Sequence, residues 1–205
     1  MGAIVALDAL LDQRRIWKGR HISTLRSGHP TGNAQLDAML PSGGWPLAAL
    51  SEILIQAEGT GELRLLWPML ARLTQAGEKV VLVAPPHVPF APAWHAAGID
   101  LRHLIIVNTQ GTEALWAAEQ CLRSGCCGAV LCWPQRANDR AMRRLQVAAE
   151  SGQTLAFAYR PAEEAVNPSP AALRLLVESA TNQLRVLKCR GGIAPVTPVP
   201  FAAWH

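Results

Sequence analysis

Short apolar runs alternate with amphipathic segments through most of the chain. Five runs are almost continuously apolar, as is typical of strands covered on both faces of a parallel sheet. They cover residues 52–55, 79–84, 104–108, 129–133 and 155–159. The segments between them, at 62–76, 91–97, 112–124 and 139–151, space their apolar residues as helices do. This alternation predicts an α/β fold with a doubly wound sheet.

The pattern changes after Pro168. Two further apolar runs, 173–178 and 184–189, flank Thr181-Asn182. They predict an antiparallel hairpin added at the sheet edge. The last residues are rich in proline, so we expect 196–205 to form a flexible tail. The predicted organisation is an N-terminal helical arm (1–28), a core domain (29–195) and this tail.

Composition narrows the class of protein only slightly. The chain has 205 residues, of which 50% are hydrophobic and 17% charged, which suits one globular domain. Its net charge of +4 permits contact with nucleic acid without requiring it. We find neither a secretory signal nor a membrane-spanning run, which predicts a cytoplasmic location. The five cysteines lack the spacing of zinc ligands, so no metal site is predicted.

Residues 51–66 have the frame of a phosphate-binding loop without its chemistry. In such a loop a strand runs into a glycine-bearing turn and then a helix, whose N–H groups surround phosphate oxygens. The functional pattern is Gly, four residues, then Gly-Lys-Ser/Thr. The chain has Gln56, Gly61, Glu62 and Leu63 at these positions, with Gly59 inside the turn. A carboxylate in place of the lysine repels a polyphosphate, so we expect no nucleotide cofactor.

Four further segments, in unbroken order, are similar to the RecA core, and most closely to the RecA-related ImuA family. They are residues 29–46, 97–104, 112–125 and 184–195. The resemblance implies a RecA-like P-loop NTPase core. Its sheet would be mainly parallel, with helices on both faces and an antiparallel C-terminal hairpin at the edge.

The chain departs from this resemblance at the catalytic positions. RecA-type ATPases have an Asp at the end of the fourth core strand and a Glu after the second. Here Trp133 and Pro86 stand at these positions. Phosphoryl transfer requires positioned cations and a group that orients water, and this chain has replaced both. We therefore expect it not to be an enzyme.

Two basic groups are candidate contacts with other macromolecules. Arg136, Arg140, Arg143 and Arg144 cluster after Trp133. They are candidate nucleic-acid contacts, or a solvated face of a helix. Lys188 and Arg190 match two cations that in the RecA pattern reach the nucleotide site of a neighbouring subunit. They are candidate partner contacts, or cations that keep a strand end soluble.

Two aromatic residues of the tail are candidate partner contacts as well. The prolines of the tail limit the entropy lost on binding, and Phe201 and Trp204 are the residues that would anchor it in a partner's groove. Aromatic residues at a frayed chain end are the alternative interpretation.

The ImuA resemblance implies a non-catalytic adaptor in SOS-induced, error-prone translesion DNA synthesis and DNA repair. Its implied partners are ImuB and, through ImuB, the sliding clamp and an error-prone polymerase. RecA is a candidate direct partner, and DNA a weak one. Two alternatives remain: a SulA-like inhibitor that binds the division protein FtsZ, and a divergent P-loop ATPase in which Lys79 or Lys188 supplies the loop cation. SulA-like chains are shorter and lack the amino-terminal arm, so residues 1–28 favour the adaptor.

Overall fold

A single mixed sheet organises the molecule. The computed structural model of the protein describes residues 28–134 and 137–201. Within these ranges the strands are β1 Leu50–Ile55, β2 Val80–Val83, β3 Leu104–Val107, β4 Ala129–Cys132, β5 Leu155–Pro161, β6 Leu173–Glu178, β7 Gln183–Cys189 and β8 Val199–Pro200. The α-helices are α1 Ala34–Met39, α2 Trp67–Gln75, α3 Ala91–Ala96, α4 Gly111–Arg123 and α5 Asp139–Gly152. Short 3₁₀ helices cover Glu62–Leu65, Leu101–His103 and Ala162–Val166.

The strand order is β3-β2-β4-β5-β1-β6-β7-β8. Neighbours from β3 to β6 run parallel, whereas β7 is antiparallel to both β6 and β8. The carboxyl ends of β1 to β5 therefore meet at one end of the sheet. Loops at this end are where α/β folds place their binding residues.

Each face of the sheet is covered by its own apolar core. One core packs β-sheet residues such as Phe157 against α1, α2 and Trp94 of α3. The other packs Val130 and its neighbours against α4 and α5. Burial on both faces explains why β2 and β4 are apolar throughout, as the sequence pattern predicted, and all six residues of β1 are buried as well.

The antiparallel hairpin is formed by β6 and β7, as predicted, but it does not end the sheet. The two-residue β8 pairs beyond it, with Leu184 opposite Val199. Phe201 then donates its N–H to the carbonyl of Asn182 and is only 7% exposed. Residues 199–201 are thus packed against the core and do not belong to a loose tail. The predicted domain boundaries remain predictions, and residues 1–27 lie outside the described ranges.

The expectation of a RecA-like P-loop core is wrong. That expectation required an α-helix to begin directly at Glu62, with its free N–H groups pointing into the loop. The structure has a 3₁₀ helix at Glu62–Leu65, and α2 begins only at Trp67 with Pro68 in its first turn. The predicted helix 62–76 is therefore two elements, and α1 was not predicted as a helix.

Candidate partner-binding surface

The loop after β1 uses its own carboxylate as the acceptor for its backbone. Residues 56–60, including Gln56 and Gly59, are exposed, but Glu62 is only 3% exposed. The carboxylate of Glu62 accepts the N–H of Gly59 at 3.1 Å and the hydroxyl of Thr60 at 3.5 Å. Gly59 and Gly61 have φ of 75° and 91°, which side chains other than glycine rarely adopt. The carboxylate of Glu62 thus satisfies two hydrogen-bond donors of its own loop.

Aromatic side chains fill the space behind this loop. Trp133, at the end of β4, stacks on Tyr159 with ring centroids 5.2 Å apart. Burial, and secondarily the charge of Glu62, raises the pKa of Tyr159 well above its usual value. Leu63 packs at the rim of the same apolar core. The space behind the loop after β1 is therefore filled by packed side chains.

A buried charge network joins β1, β5 and β6. Glu52 is completely buried in β1 and accepts from Arg160 of β5 at 2.8 Å. It also accepts from Nε of Arg174 of β6. The two arginines are 4% and 6% exposed, so all three charges are removed from water. A buried carboxylate is tolerated only when such partners surround it.

The same arginines hold the loops at the carboxyl end of the sheet. Arg160 donates to the carbonyl of Ala137 at 2.8 Å and contacts the carboxylate of Glu164 at 3.0 Å. Arg174 donates to the carbonyls of Glu164 at 2.8 Å and Asn167 at 3.0 Å. The loop after β4 and the 3₁₀ helix after β5 are therefore fixed by hydrogen bonds from buried side chains.

The loop after β2 has the opposite character. It runs from Pro85 to Phe90 and contains three prolines. Ala84, just before it, has a φ of 52° and donates its N–H to the carbonyl of Val107, which turns the chain away from the sheet. Val88 and Phe90 are 84% and 71% exposed. The loop thus presents two large apolar side chains to solvent on a backbone that proline restricts.

The far end of this loop is anchored. The carbonyl of Phe90 accepts the N–H groups of Ala93 at 3.0 Å and Trp94 at 3.3 Å. Trp94 is 3% exposed and its ring lies 6.3 Å from that of Trp67, inside the core. The backbone of Phe90 is therefore fixed while its ring remains in solvent, as a preorganised binding residue requires.

An open cleft of about 1150 Å³ adjoins the start of the loop. Ala84, Pro85 and Pro86 form one wall, and the first turn of α4 forms another. The chain between β3 and α4 and the end of β4 complete the lining. Pro86, which stands at the position of the catalytic Glu of RecA-type ATPases in the sequence comparison above, is therefore a cleft residue. Together, this cleft and the loop 85–90 are called the β2 surface below.

The predicted arginine cluster does not form one free cationic face. Arg143 pairs with Asp139 at 2.7 Å, and Arg144 pairs with the nearly buried Glu119. Arg140 is exposed, without a salt bridge to any of the residues the structure describes. Arg136 lies outside those residues. Two of the four candidates thus neutralise carboxylates of the chain itself.

The other predicted contacts are partly engaged within the molecule. Lys188 donates to the carbonyl of Ser169 at 2.7 Å. Partial burial and the nearby Arg190 and Arg174 lower its pKa. Arg190 lies 3.2 Å from the carboxylate of Glu150. Phe201 is a core residue, and Trp204 lies outside the described residues.

A family model described as "Cell division inhibitor SulA" matches residues 48–156, which cover β1 to β4, the first two residues of β5 and the entire β2 surface. The chain belongs to the SulA family. Among solved structures it is similar to SulA from Pseudomonas aeruginosa, at 28% identity over 57% of this chain and 99% of that one, with a TM-score of 0.47. No curated protein sequence matches it.

This family assignment overturns the interpretation of the sequence as an ImuA-like adaptor. The partners implied by that resemblance, ImuB, the sliding clamp and an error-prone polymerase, are those of a different family. The same correction applies to RecA and DNA as partners, and to a role in translesion synthesis. The segments that suggested ImuA, such as 97–104 and 112–125, lie inside the SulA match. Glycine and leucine spacing alone did not separate the two families.

Two features of the site were missed in the sequence. Val88 and Phe90 sit among three prolines, where no apolar periodicity assigns them to a core. Glu52 is a charged residue within the apolar run of β1, and this alone indicates that a buried partner of opposite charge lies beside it.

No helix among the described residues has the length and apolarity to cross a membrane. Within the same residues no group of metal-ligating side chains is found.

Proposed function

We propose that this chain is a non-enzymatic inhibitor of cell division that acts in the cytoplasm by binding FtsZ. The observation that carries the proposal is the match of the SulA family model to residues 48–156. Sequence analysis gave a SulA-like inhibitor as an alternative to the adaptor, and the family match supports this alternative. An SOS-induced inhibitor would stop division while DNA is damaged.

The β2 surface is the part of the molecule that we assign to this binding. Val88 and Phe90 together form the most exposed large apolar pair within the matched residues. Neighbouring exposed apolar residues mark interaction sites, and aromatic residues contribute most to binding energy. Because proline restricts the loop and Trp94 anchors it, binding would order few additional bonds.

The test measures the affinity of the full chain for purified FtsZ by isothermal titration, together with inhibition of FtsZ polymerisation. The double variant Val88→Asp/Phe90→Asp should weaken binding by at least about a hundredfold, because two apolar anchors become desolvated charges. Its thermal unfolding should remain that of the wild type, since both side chains are already in solvent.

The matched control is Val166→Asp/Ile193→Asp. These residues are 88% and 95% exposed and lie outside the family match. Adding the same two charges there should leave FtsZ affinity unchanged. Failure of the wild-type chain to bind FtsZ would overturn the proposed function. Equal losses in both double variants would refute only the assignment to the β2 surface.

The absence of enzymatic activity is a separate part of the proposal. It is supported by the carboxylate of Glu62 in the loop after β1 and by Leu63 in place of a magnesium ligand. Titration with ATP and magnesium should give no heat of binding, and no phosphate should be released. Turnover of ATP that disappears in Gly61→Ala would contradict it.

A further inference from the structure

Three of the five cysteines lie together where α4 ends and the chain enters β4. Cys121 is in the last turn of α4, which ends at Arg123. Cys126 and Cys127 follow in the short connection to β4, which begins at Ala129. This connection lies at the amino end of the sheet, whereas the β2 surface lies at the carboxyl end. The three thiols therefore form a cluster that neither the buried charge network nor the β2 surface uses.

The hydroxyl of Ser124 joins the backbones of two of these cysteines. It donates to the carbonyl of Cys121 at 2.8 Å and accepts the N–H of Cys126 at 3.2 Å. Gly125, between Ser124 and Cys126, has a φ of 66°, the left-handed conformation in which glycine ends many helices. At such a helix end the residue after the glycine packs against a residue of the last turn. Here these two residues are Cys126 and Cys121.

The three thiols differ in their access to solvent. Cys126 is exposed, whereas Cys121 and Cys127 are half-buried and pack at the rim of the core beneath α4 and α5. Burial raises the pKa of the thiols of Cys121 and Cys127, and the charges of the other two thiols raise the pKa of Cys127 further. An oxidant in water therefore reaches Cys126 first, with the other two thiols close behind it.

Backbone geometry selects the partner of Cys126. A disulfide requires Cα atoms about 4.4–6.8 Å apart. The Cα atoms of adjacent residues such as Cys126 and Cys127 are only about 3.8 Å apart across a trans peptide bond. Cys132 is buried within β4, where its Sγ lies 3.5 Å from the carbonyl oxygen of Phe157. Cys121 is the cysteine that the end of α4 places against Cys126.

We propose that Cys126 and Cys121 form a reversible oxidation site that reacts with hydroperoxides. The thiolate of Cys126 attacks the O–O bond of hydrogen peroxide, which gives a sulfenic acid on Cys126 and, after protonation of the leaving hydroxide, one water. The sulfur of Cys121 then attacks the sulfenic sulfur. The S–S bond forms, the S–O bond breaks, and the hydroxyl leaves as a second water with the proton of Cys121. Two electrons pass from the two thiols to the peroxide.

The role of Cys121 is to keep this oxidation at a reversible stage. A sulfenic acid without a neighbouring thiol is oxidised further to a sulfinic acid, which cellular thiols do not reduce. A disulfide, in contrast, is reopened by exchange with a thiol such as reduced glutathione. The inference rests on the geometry of these residues and not on FtsZ binding.

The experiment treats the full chain with hydrogen peroxide, alkylates the remaining thiols in denaturant and digests the chain with trypsin without reductant. Because trypsin cuts after Arg123, Cys121 and Cys126 fall in separate peptides, 103–123 and 124–136. Mass spectrometry of the wild type should show these peptides joined, with the loss of two hydrogens. The thiols available for alkylation should fall from five to three, and dithiothreitol should restore all five.

Three serine variants assign the bond. Cys126→Ser and Cys121→Ser should both abolish the joined peptides, and Cys121→Ser should in addition accumulate sulfinic acid on Cys126. The matched control is Cys127→Ser, which removes the adjacent thiol and should keep the joined peptides. Joined peptides in Cys126→Ser would refute the assignment, because Cys127 would then be the partner of Cys121.

The digest of the wild type does not depend on the folding of any variant. Five free thiols after peroxide treatment would refute the proposal. A disulfide that joins two chains, seen as a dimer on a non-reducing gel, would refute it as well. FtsZ is absent from these measurements, so a chain that forms the bond but does not bind FtsZ would contradict the proposed function only.

Discussion

The two halves of the sheet's carboxyl end differ in how their loops are held. In the half formed by β1, β5 and β6, Glu52 and two buried arginines fix the loops from within, and Glu62 closes the loop after β1. In the half formed by β2, β3 and β4, a proline-rich loop presents Val88 and Phe90, and a cleft opens beside them. In the first half, polar side chains have hydrogen-bond partners inside the molecule. In the second half, the side chains of Val88 and Phe90 are exposed to solvent. Stability and binding are thus assigned to different halves.

The strongest test of this division is Glu52→Ala. It would leave Arg160 and Arg174 buried beside no carboxylate in β1, at a cost of about 3–5 kcal/mol in the free energy of unfolding. Urea denaturation measures this loss. The control Glu178→Ala removes a partner of Arg185 whose side chain is 46% exposed, and should cost less than about 1 kcal/mol. Equal losses in the two variants would show that the buried network does not hold this half together.

The converse test is Phe90→Ala in the other half. Its free energy of unfolding should stay within about 0.5 kcal/mol of the wild type, because the ring is in solvent. Its affinity for FtsZ should fall about tenfold, as expected when one aromatic anchor is truncated. Titration of FtsZ and urea denaturation of the same sample measure both quantities. A large loss of stability would contradict the division, because it would show that the ring contributes to the fold.

The sequence predicted the strands better than it predicted which side chains contact each other. Continuous apolar runs identified β1 to β5, because strands buried on both faces have few other patterns. The partners of Glu52 lie 108 and 122 residues away along the chain, so no local pattern reveals them. The exposure of Phe90 and the burial of Phe201 depend on packing, since both are phenylalanines beside prolines. Glu62 was recognised as incompatible with phosphate, but not as the acceptor for Gly59.

The smallest expected effect concerns Glu62 itself. Glu62→Ala removes the acceptor for the N–H of Gly59. Because Gly59 is exposed, water can then solvate this N–H, so the free energy of unfolding should fall by about 1 kcal/mol. Gln56→Ala is the control, since this residue is exposed in the same loop. It should change stability by less than about 0.5 kcal/mol. FtsZ affinity should be unchanged in both variants, because this loop belongs to the half held by internal partners. A loss of affinity in Glu62→Ala at unchanged stability would extend the binding surface across both halves and break the division between them.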